Sequence, residues 1–164
     1  MAQRSLSVLL LGGARSGKSS FAETLGWASK RTVTVMATAE AVDADMRARI
    51  NAHRSGRPNS WFTLEEPLVI ASALASIADD HMVILDCVTV WLGNMMYHGR
   101  STSAITREID ELLSVVERRS GGTVLVSNEV GLGIVPVTEM GRSYRDLLGR
   151  VNTELAARVD KSLL

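Results

Sequence analysis

An α/β fold, with a mostly parallel sheet flanked by helices on both faces, is the architecture this 164-residue sequence predicts. Three observations predict it. Apolar runs of strand length recur at Leu6–Leu11, Thr32–Ala37, Met82–Asp86 and Thr123–Ser127. Stretches of helical periodicity separate them, and that alternation builds parallel strands joined by crossover helices. The runs also end in small or polar residues, as strands do when their carboxyl ends face a ligand.

The first run, Leu6-Ser7-Val8-Leu9-Leu10-Leu11, leads straight into Gly12-Gly13-Ala14-Arg15-Ser16-Gly17-Lys18-Ser19. That segment fits the phosphate-loop pattern G-x-x-x-x-G-K-[ST] at each fixed position. Glycines let backbone N–H groups converge on phosphate oxygens with no Cβ in the way. The helical pattern from Ser20 to Ala28 adds the positive end of a helix dipole. In this setting Lys18 neutralises the β- and γ-phosphates and the Ser19 hydroxyl ligates Mg²⁺. The expected domain is therefore P-loop NTPase-like, with a RecA-like sheet. A glycine-rich turn that binds nothing is the bland alternative, and the strand-before, helix-after context argues against it.

The second run ends in Ala37-Thr38-Ala39-Glu40, a candidate nucleotide contact or else an ordinary strand-to-helix turn. A helix is expected from Asp43, as cap, to Ser55, with Asp45 and Arg49 as an i,i+4 pair. Met46, Ile50 and His53 fall on one of its faces. Gly56-Arg57-Pro58 stops it. Trp61-Phe62-Thr63 reads as a short strand, followed by Glu65-Glu66-Pro67, and Pro67 suits the first turn of a helix running to about Asp79. Met82-Val83-Ile84-Leu85-Asp86 is the usual companion of a phosphate loop, a buried strand whose carboxylate reaches Mg²⁺. Cys87 reads as a small hydrophobe rather than a nucleophile.

Thr89–Tyr97 is helical and apolar. The segment from Ser101 or Thr102 to about Ser120 is helical, with Ile105, Ile109, Leu112, Leu113 and Val116 inward. The run Thr123–Ser127 ends in Asn128-Glu129, before the glycine-rich Gly131-Leu132-Gly133-Ile134-Val135-Pro136. A long helix from Gly141 carries Arg142, Arg145, Arg150 and Arg158, and Ser162-Leu163-Leu164 begins a further strand. His81 and His98 lie at element ends and read as surface residues.

The bulk numbers bound the partners. A single domain over 1–164 buries about 70% of its unfolded surface and needs no disulfide or metal staple. Basic and acidic residues balance at 18 each, so no net field draws nucleic acid or an anionic membrane. The single cysteine suits a reducing cytoplasm. No run reaches the roughly 20 apolar residues of a membrane span, and the first is too short for a signal peptide. The [NT]-K-x-D run by which a regulatory GTPase reads guanine is absent. Asp146-Leu147-Leu148-Gly149 spells D-x-x-G inside a helical pattern, far from the loop.

Across nearly its whole length the chain resembles the bifunctional adenosylcobinamide kinase / adenosylcobinamide-phosphate guanylyltransferase family. The resemblance rests on Gly12–Ser19, Ala37-Thr38-Ala39, Met46 with Arg49-Ile50, His53-Arg54, Arg57-Pro58 and Trp61. It continues through Glu65-Glu66-Pro67, Asp86-Cys87, Trp91-Leu92, Asn94, Ser127–Pro136 and Gly149–Asn152. It implies phosphorylation of adenosylcobinamide by ATP or GTP, then transfer of GMP from GTP to adenosylcobinamide phosphate in cobalamin biosynthesis. It implies that His53 carries the GMP covalently, and that the enzyme is a homotrimer. It also suggests that Arg57, Glu65 and Glu66 position ribose or guanine and that Asn128 and Glu129 meet nucleotide or acceptor; the C-terminal arginines offset phosphate charge or, for most of them, form a solvated helix face.

On spacing alone His53 completes a face with Met46 and Ile50. A neutral imidazole nevertheless suits the chemistry, because it attacks an α-phosphorus without the repulsion an anionic acceptor meets. The family's chain continues past Asp160 into another strand and a turn, so either this sequence is cut short or its final strand is missing. Two other readings stay open on residues alone: a phosphate-loop kinase for another small alcohol, and a non-catalytic nucleotide-binding regulator.

Overall fold

A computed structural model describes residues 6–40 and 44–164, with the backbone alone at 45, 46, 49 and 52–54. In chain order the elements are β1 (Ser7–Leu10), α1 (Lys18–Ala28), β2 (Val33–Ala37), α2 (Ala44–Ser55), β3 (Phe62–Glu65) and α3 (Ile70–Ser76). They continue with β4 (Met82–Asp86), α4 (Val88–Tyr97), α5 (Thr102–Arg118), β5 (Thr123–Val126), α6 (Glu139–Arg158) and β6 (Lys161–Leu163). The strands form one sheet in the order β3-β2-β4-β5-β1-β6, and every pairing is parallel.

The inner strands read as continuous apolar runs because helices cover both faces. Alternate strand residues divide between two cores. Leu9, Met36, Val83, Leu85 and Leu125 face α3, α4, α5 and α6, with Trp91 and Leu112 fully buried among them. Val8, Leu10, Val35, Ile84, Val124 and Val126 face the other way, against Ala22 of α1. The five positions predicted inward on α5 are all buried, and Ser101 caps that helix by accepting the Ala104 amide at 3.2 Å.

Several boundaries differ from the sequence reading. The helix expected from Pro67 to about Asp79 is shorter. Glu66 Oε1 accepts the amides of Leu68 (2.8 Å) and Val69 (2.9 Å), which holds a turn where the helix was to begin. At its far end the Arg119 guanidinium gathers the carbonyls of Leu74, Ile77, Ala78 and His81 at 2.8–3.3 Å, so the chain leaves the helix with those acceptors satisfied. The last helix begins at Glu139 rather than Gly141, because the Thr138 hydroxyl accepts the Gly141 amide at 3.1 Å and caps it. His81 is half-buried rather than superficial: its Nδ1 lies 2.9 Å from Thr34 Oγ1 and its ring stacks on Phe62. His98 is exposed, as expected. The strand begun by the last residues is formed, and Leu11 N–H bonds the Leu163 carbonyl at 2.8 Å. Asp43 as a helix cap lies outside the described residues, as do the side chains of the Asp45–Arg49 pair and of Met46.

Among the described residues, no helix is long and apolar enough to cross a membrane. A close approach at the opposite end of the sheet constrains the turn into β5. Gly121 donates its amide to Asp79 O at 2.8 Å, and a Cβ there would overlap the His81 carbonyl. Gly121→Ala is therefore expected to destabilise the fold by about 2–3 kcal/mol in urea unfolding. A loss below about 0.5 kcal/mol, the scale of an ordinary surface change, would contradict that packing.

Candidate active site

The carboxyl edge of the sheet gathers the loop after β1, Thr38, Glu65, Asp86 and Ser127–Glu129. In an open α/β sheet this is the edge that binds ligands.

The phosphate loop is held by backbone geometry. Gly12 has φ +150°, and a Cβ there would stand 2.9 Å from Ser16 Oγ. Gly17, at φ +91°, turns the chain into α1 from the left-handed region, and its carbonyl receives the Phe21 amide at 2.9 Å. Gly13, Ala14, Arg15 and Ser16 form an exposed arc. Lys18 folds over that arc, donating from Nζ to Gly13 O at 2.6 Å and to Ser16 Oγ at 3.3 Å. Ser19 stands in the first turn of α1, half-buried. The loop is braced from β5: Ser127 N–H bonds Leu10 O at 2.9 Å and Glu129 N–H bonds Gly12 O at 3.0 Å.

Thr38 sits at the centre of this edge and is fully buried. Its hydroxyl donates to Cys87 O at 2.8 Å and accepts the Cys87 amide at 3.0 Å, which welds the end of β2 to the end of β4. Its carbonyl takes Asn94 Nδ2 at 2.7 Å, and the same Asn94 amide group also donates to Pro67 O at 3.1 Å. Ala37 and Asp86 are register partners, and Thr38 N–H bonds Asp86 O at 3.2 Å. Asp86 is near enough to Lys18 to favour its charged form. Burial pushes the Cys87 thiol up, which keeps it protonated and a poor nucleophile.

A second network holds the end of β5. Asn128 N–H donates to Thr89 Oγ1 at 2.6 Å, Asn152 Nδ2 to Asn128 O at 3.0 Å, and Ser127 Oγ to Asn152 Oδ1 at 2.7 Å. Tyr144 joins it through its hydroxyl, 2.9 Å from Thr89 O, and burial raises that phenol to about 12. Thr89 and Tyr144 are the supporting residues that sequence reasoning missed. Each sits inside an ordinary helical pattern, and only the fold brings them to a strand end.

Several residues singled out in the sequence are engaged otherwise than expected. Glu66 Oε1 holds the turn before α3. The Glu129 carboxylate accepts the amides of Gly131 (2.7 Å) and Leu132 (3.0 Å), so it organises its own loop. Glu40 pairs with His98 Nε2 at 3.1 Å. Ala39 follows Thr38 and is half-buried, Glu65 ends β3 exposed, and Arg57 Nη1 reaches Thr63 Oγ1 at 3.4 Å. Among the C-terminal arginines, Arg158 pairs with Glu117 and Asp110, Arg145 with Asp146, and Arg142 donates to Pro136 O and Val137 O. These three are committed to protein partners. His53 lies in α2 by its backbone, and its side chain is outside the described residues. Among the described residues, no group of three or more His, Cys, Asp or Glu side chains is placed to hold a metal.

A family model described as "Cobinamide kinase / cobinamide phosphate guanyltransferase" matches residues 8–164. The chain belongs to this family. It is therefore an enzyme of the bifunctional cobinamide kinase and guanyltransferase class. The bifunctional adenosylcobalamin biosynthesis protein CobP of Pseudomonas aeruginosa is 42% identical over 154 residues, covering 93% of this chain and 88% of that protein. CobU proteins of the same description from Escherichia coli and Salmonella typhimurium are 38% and 37% identical over 169 residues, each covering 95% of this chain and 93% of theirs. A solved RadB recombinase superposes with a TM-score of 0.51 at 14% identity, over 88% of this chain and 72% of that one. That likeness bears out the RecA-like sheet.

The Lys18 ammonium lies below its ordinary 10.5, first because the loop desolvates it and despite the opposing pull of Cys87 and Asp86. The folded chain thus releases this proton at lower pH than the unfolded chain. Stability of the ligand-free protein gains from this group as pH rises through the window just below 10.5. Lys18→Met should remove that gain, seen as a flatter difference curve in urea unfolding at stepped pH.

Proposed function

We propose that this protein phosphorylates adenosylcobinamide with ATP or GTP and then transfers GMP from GTP to the product through a His53–GMP intermediate. The observation that carries the reading is the loop over Gly12–Ser19, braced at Gly12 by Glu129 and covered by Lys18.

In the first reaction the acceptor hydroxyl oxygen attacks the γ-phosphorus. The bond from that phosphorus to the β–γ bridging oxygen breaks, and the hydroxyl proton is released. The loop amides and Lys18 take the charge that develops on the phosphate oxygens, exchanging the Gly13 carbonyl for a stronger, anionic partner. Ser19 and Asp86 offer a hydroxyl and a carboxylate, hard oxygen donors that suit Mg²⁺, a cation that keeps several of its waters. Bound there, Mg²⁺ supplies charge neutralisation at the β- and γ-phosphates.

In the second reaction the neutral imidazole of His53 attacks the α-phosphorus and pyrophosphate leaves. The acceptor's phosphate oxygen then attacks the same phosphorus, breaking the N–P bond and restoring the imidazole. The covalent step divides a reaction between two anions into two displacements with less repulsion. Thr38, Ala39, Glu40, Arg57, Glu65 and Glu66 are assigned to nucleotide positioning. Glu66 and Glu40 do this through the backbone turn and the His98 pair that they hold. The reading extends to a cytoplasmic homotrimer, which the exposed apolar side chains Leu132, Ile134, Val137 and Met140 support as a contact surface.

Incubation with α-³²P-GTP should leave an acid-labile, base-stable label on the protein that His53→Ala abolishes. Lys18→Ala should lower turnover of adenosylcobinamide by at least about 100-fold. Transfer of γ-label with no α-label on the protein would favour a simple kinase, and binding without any transfer a regulator.

A further inference from the structure

Gly149 lies in the interior of α6, where glycine is the poorest helix former after proline. Nothing in this chain requires it there. A Cβ at Gly149 would meet no atom within 4 Å, and its backbone is ordinary right-handed helix. The position is exposed and borders a recess of about 680 Å³. A helix that forgoes a side chain at such a place leaves room for another molecule to approach its backbone. The recess also adjoins the phosphate loop. It is lined by Gly131, two residues after Glu129, whose amide bonds the Gly12 carbonyl at 3.0 Å. Three residues on from Gly149, Asn152 bonds Ser127 and Asn128 at the end of β5.

The walls carry charges of both signs, from Arg145, Asp146, Arg150 and Glu154. Arg145 pairs with Asp146 at 2.8 Å, whereas Arg150 is exposed and has no hydrogen-bond or ion-pair partner among the described residues. Such a surface suits neither a purely anionic ligand nor an apolar one. It suits a neutral ligand rich in amides, because each primary amide presents N–H donors beside a carbonyl acceptor. The corrin of adenosylcobinamide carries amides of this kind around its rim. We infer that the recess holds the amide-bearing rim of the acceptor corrinoid. Arg150 donates to an amide carbonyl, Glu154 accepts from an amide N–H, and the edge of the macrocycle lies over Gly149. This rests on the proposed function and adds the acceptor's place to it. Transfer needs the acceptor oxygen and the phosphorus in near contact, so the acceptor's site must border the cradle. The recess meets that condition through Gly131.

The test measures adenosylcobinamide binding by equilibrium dialysis, with Mg²⁺ and adenylyl imidodiphosphate present, to the full chain and its Gly149→Leu and Arg150→Gln variants. Leucine is a good helix former, so Gly149→Leu fills the recess without breaking α6. It should raise the Kd of adenosylcobinamide by at least about 10-fold. Arg150→Gln should raise it by about 10-fold. The Kd of the nucleotide analogue and the sedimentation coefficient should stay as they are in both. An unchanged Kd for adenosylcobinamide in either variant overturns the acceptor site and spares the proposed function. Equal weakening of corrinoid and nucleotide also overturns it, since the variant would then have damaged the fold around the loop. A changed sedimentation coefficient assigns the recess to a contact between subunits and overturns it as well. Failure of adenosylcobinamide to bind the unaltered protein brings down both the site and the proposed function.

Discussion

The arrangement depends on β1 being paired on both sides. Its parallel bonds to β5 and β6 fix the height at which Leu11 and Gly12 leave the sheet. The loop that follows has few interactions of its own. It owes its shape to glycine dihedrals and to two amide bonds from the end of β5, Ser127 to Leu10 and Glu129 to Gly12. A short loop suspended between a buried strand and a helix start has little freedom left to lose when a ligand arrives. That preorganisation is what a phosphate cradle requires.

The remainder of the edge is made rigid by buried polar groups rather than by apolar packing. Thr38 joins β2 to β4, Asn94 joins α4 to the ends of β2 and β3, and Asn152 joins α6 to β5. Thr38 and Asn94 bond backbone groups, and Asn152 bonds the Asn128 carbonyl and the Ser127 hydroxyl, so each fixes a strand end in position. The elements a nucleotide would span are thereby tied to one another as well as to the sheet.

Two transfers at different phosphorus atoms ask different things of one site. Attack at the γ-phosphorus needs charge neutralised at the end of the triphosphate, which a fixed cation and convergent amides can supply. Attack at the α-phosphorus needs a nucleophile brought in from the side. Under the proposed function these demands fall on different elements: the cradle is built on the inner strand β1, and His53 is carried on α2, which follows β2, a strand separated from β1 by β4 and β5. In that proposal the inner strand supplies fixed geometry, and the helix supplies the nucleophile.

By itself the sequence determined the sheet class, the loop and the inner strands, because those signals are local. Periodicity and glycine spacing within a few residues suffice for them, and residues such as Ile105, Ile109 and Leu112 are buried as their spacing predicts. Only the tertiary structure decided where α3 begins and ends, since Glu66 and the distant Arg119 take the backbone groups there. It also decided the work of Glu66, Glu40 and Glu129, whose carboxylates looked available for ligand and instead hold turns or a histidine. Thr89 and Tyr144 were illegible for the same reason. A hydrogen bond between residues 39 or 55 positions apart leaves no periodic trace, and it exists once packing has brought its partners together.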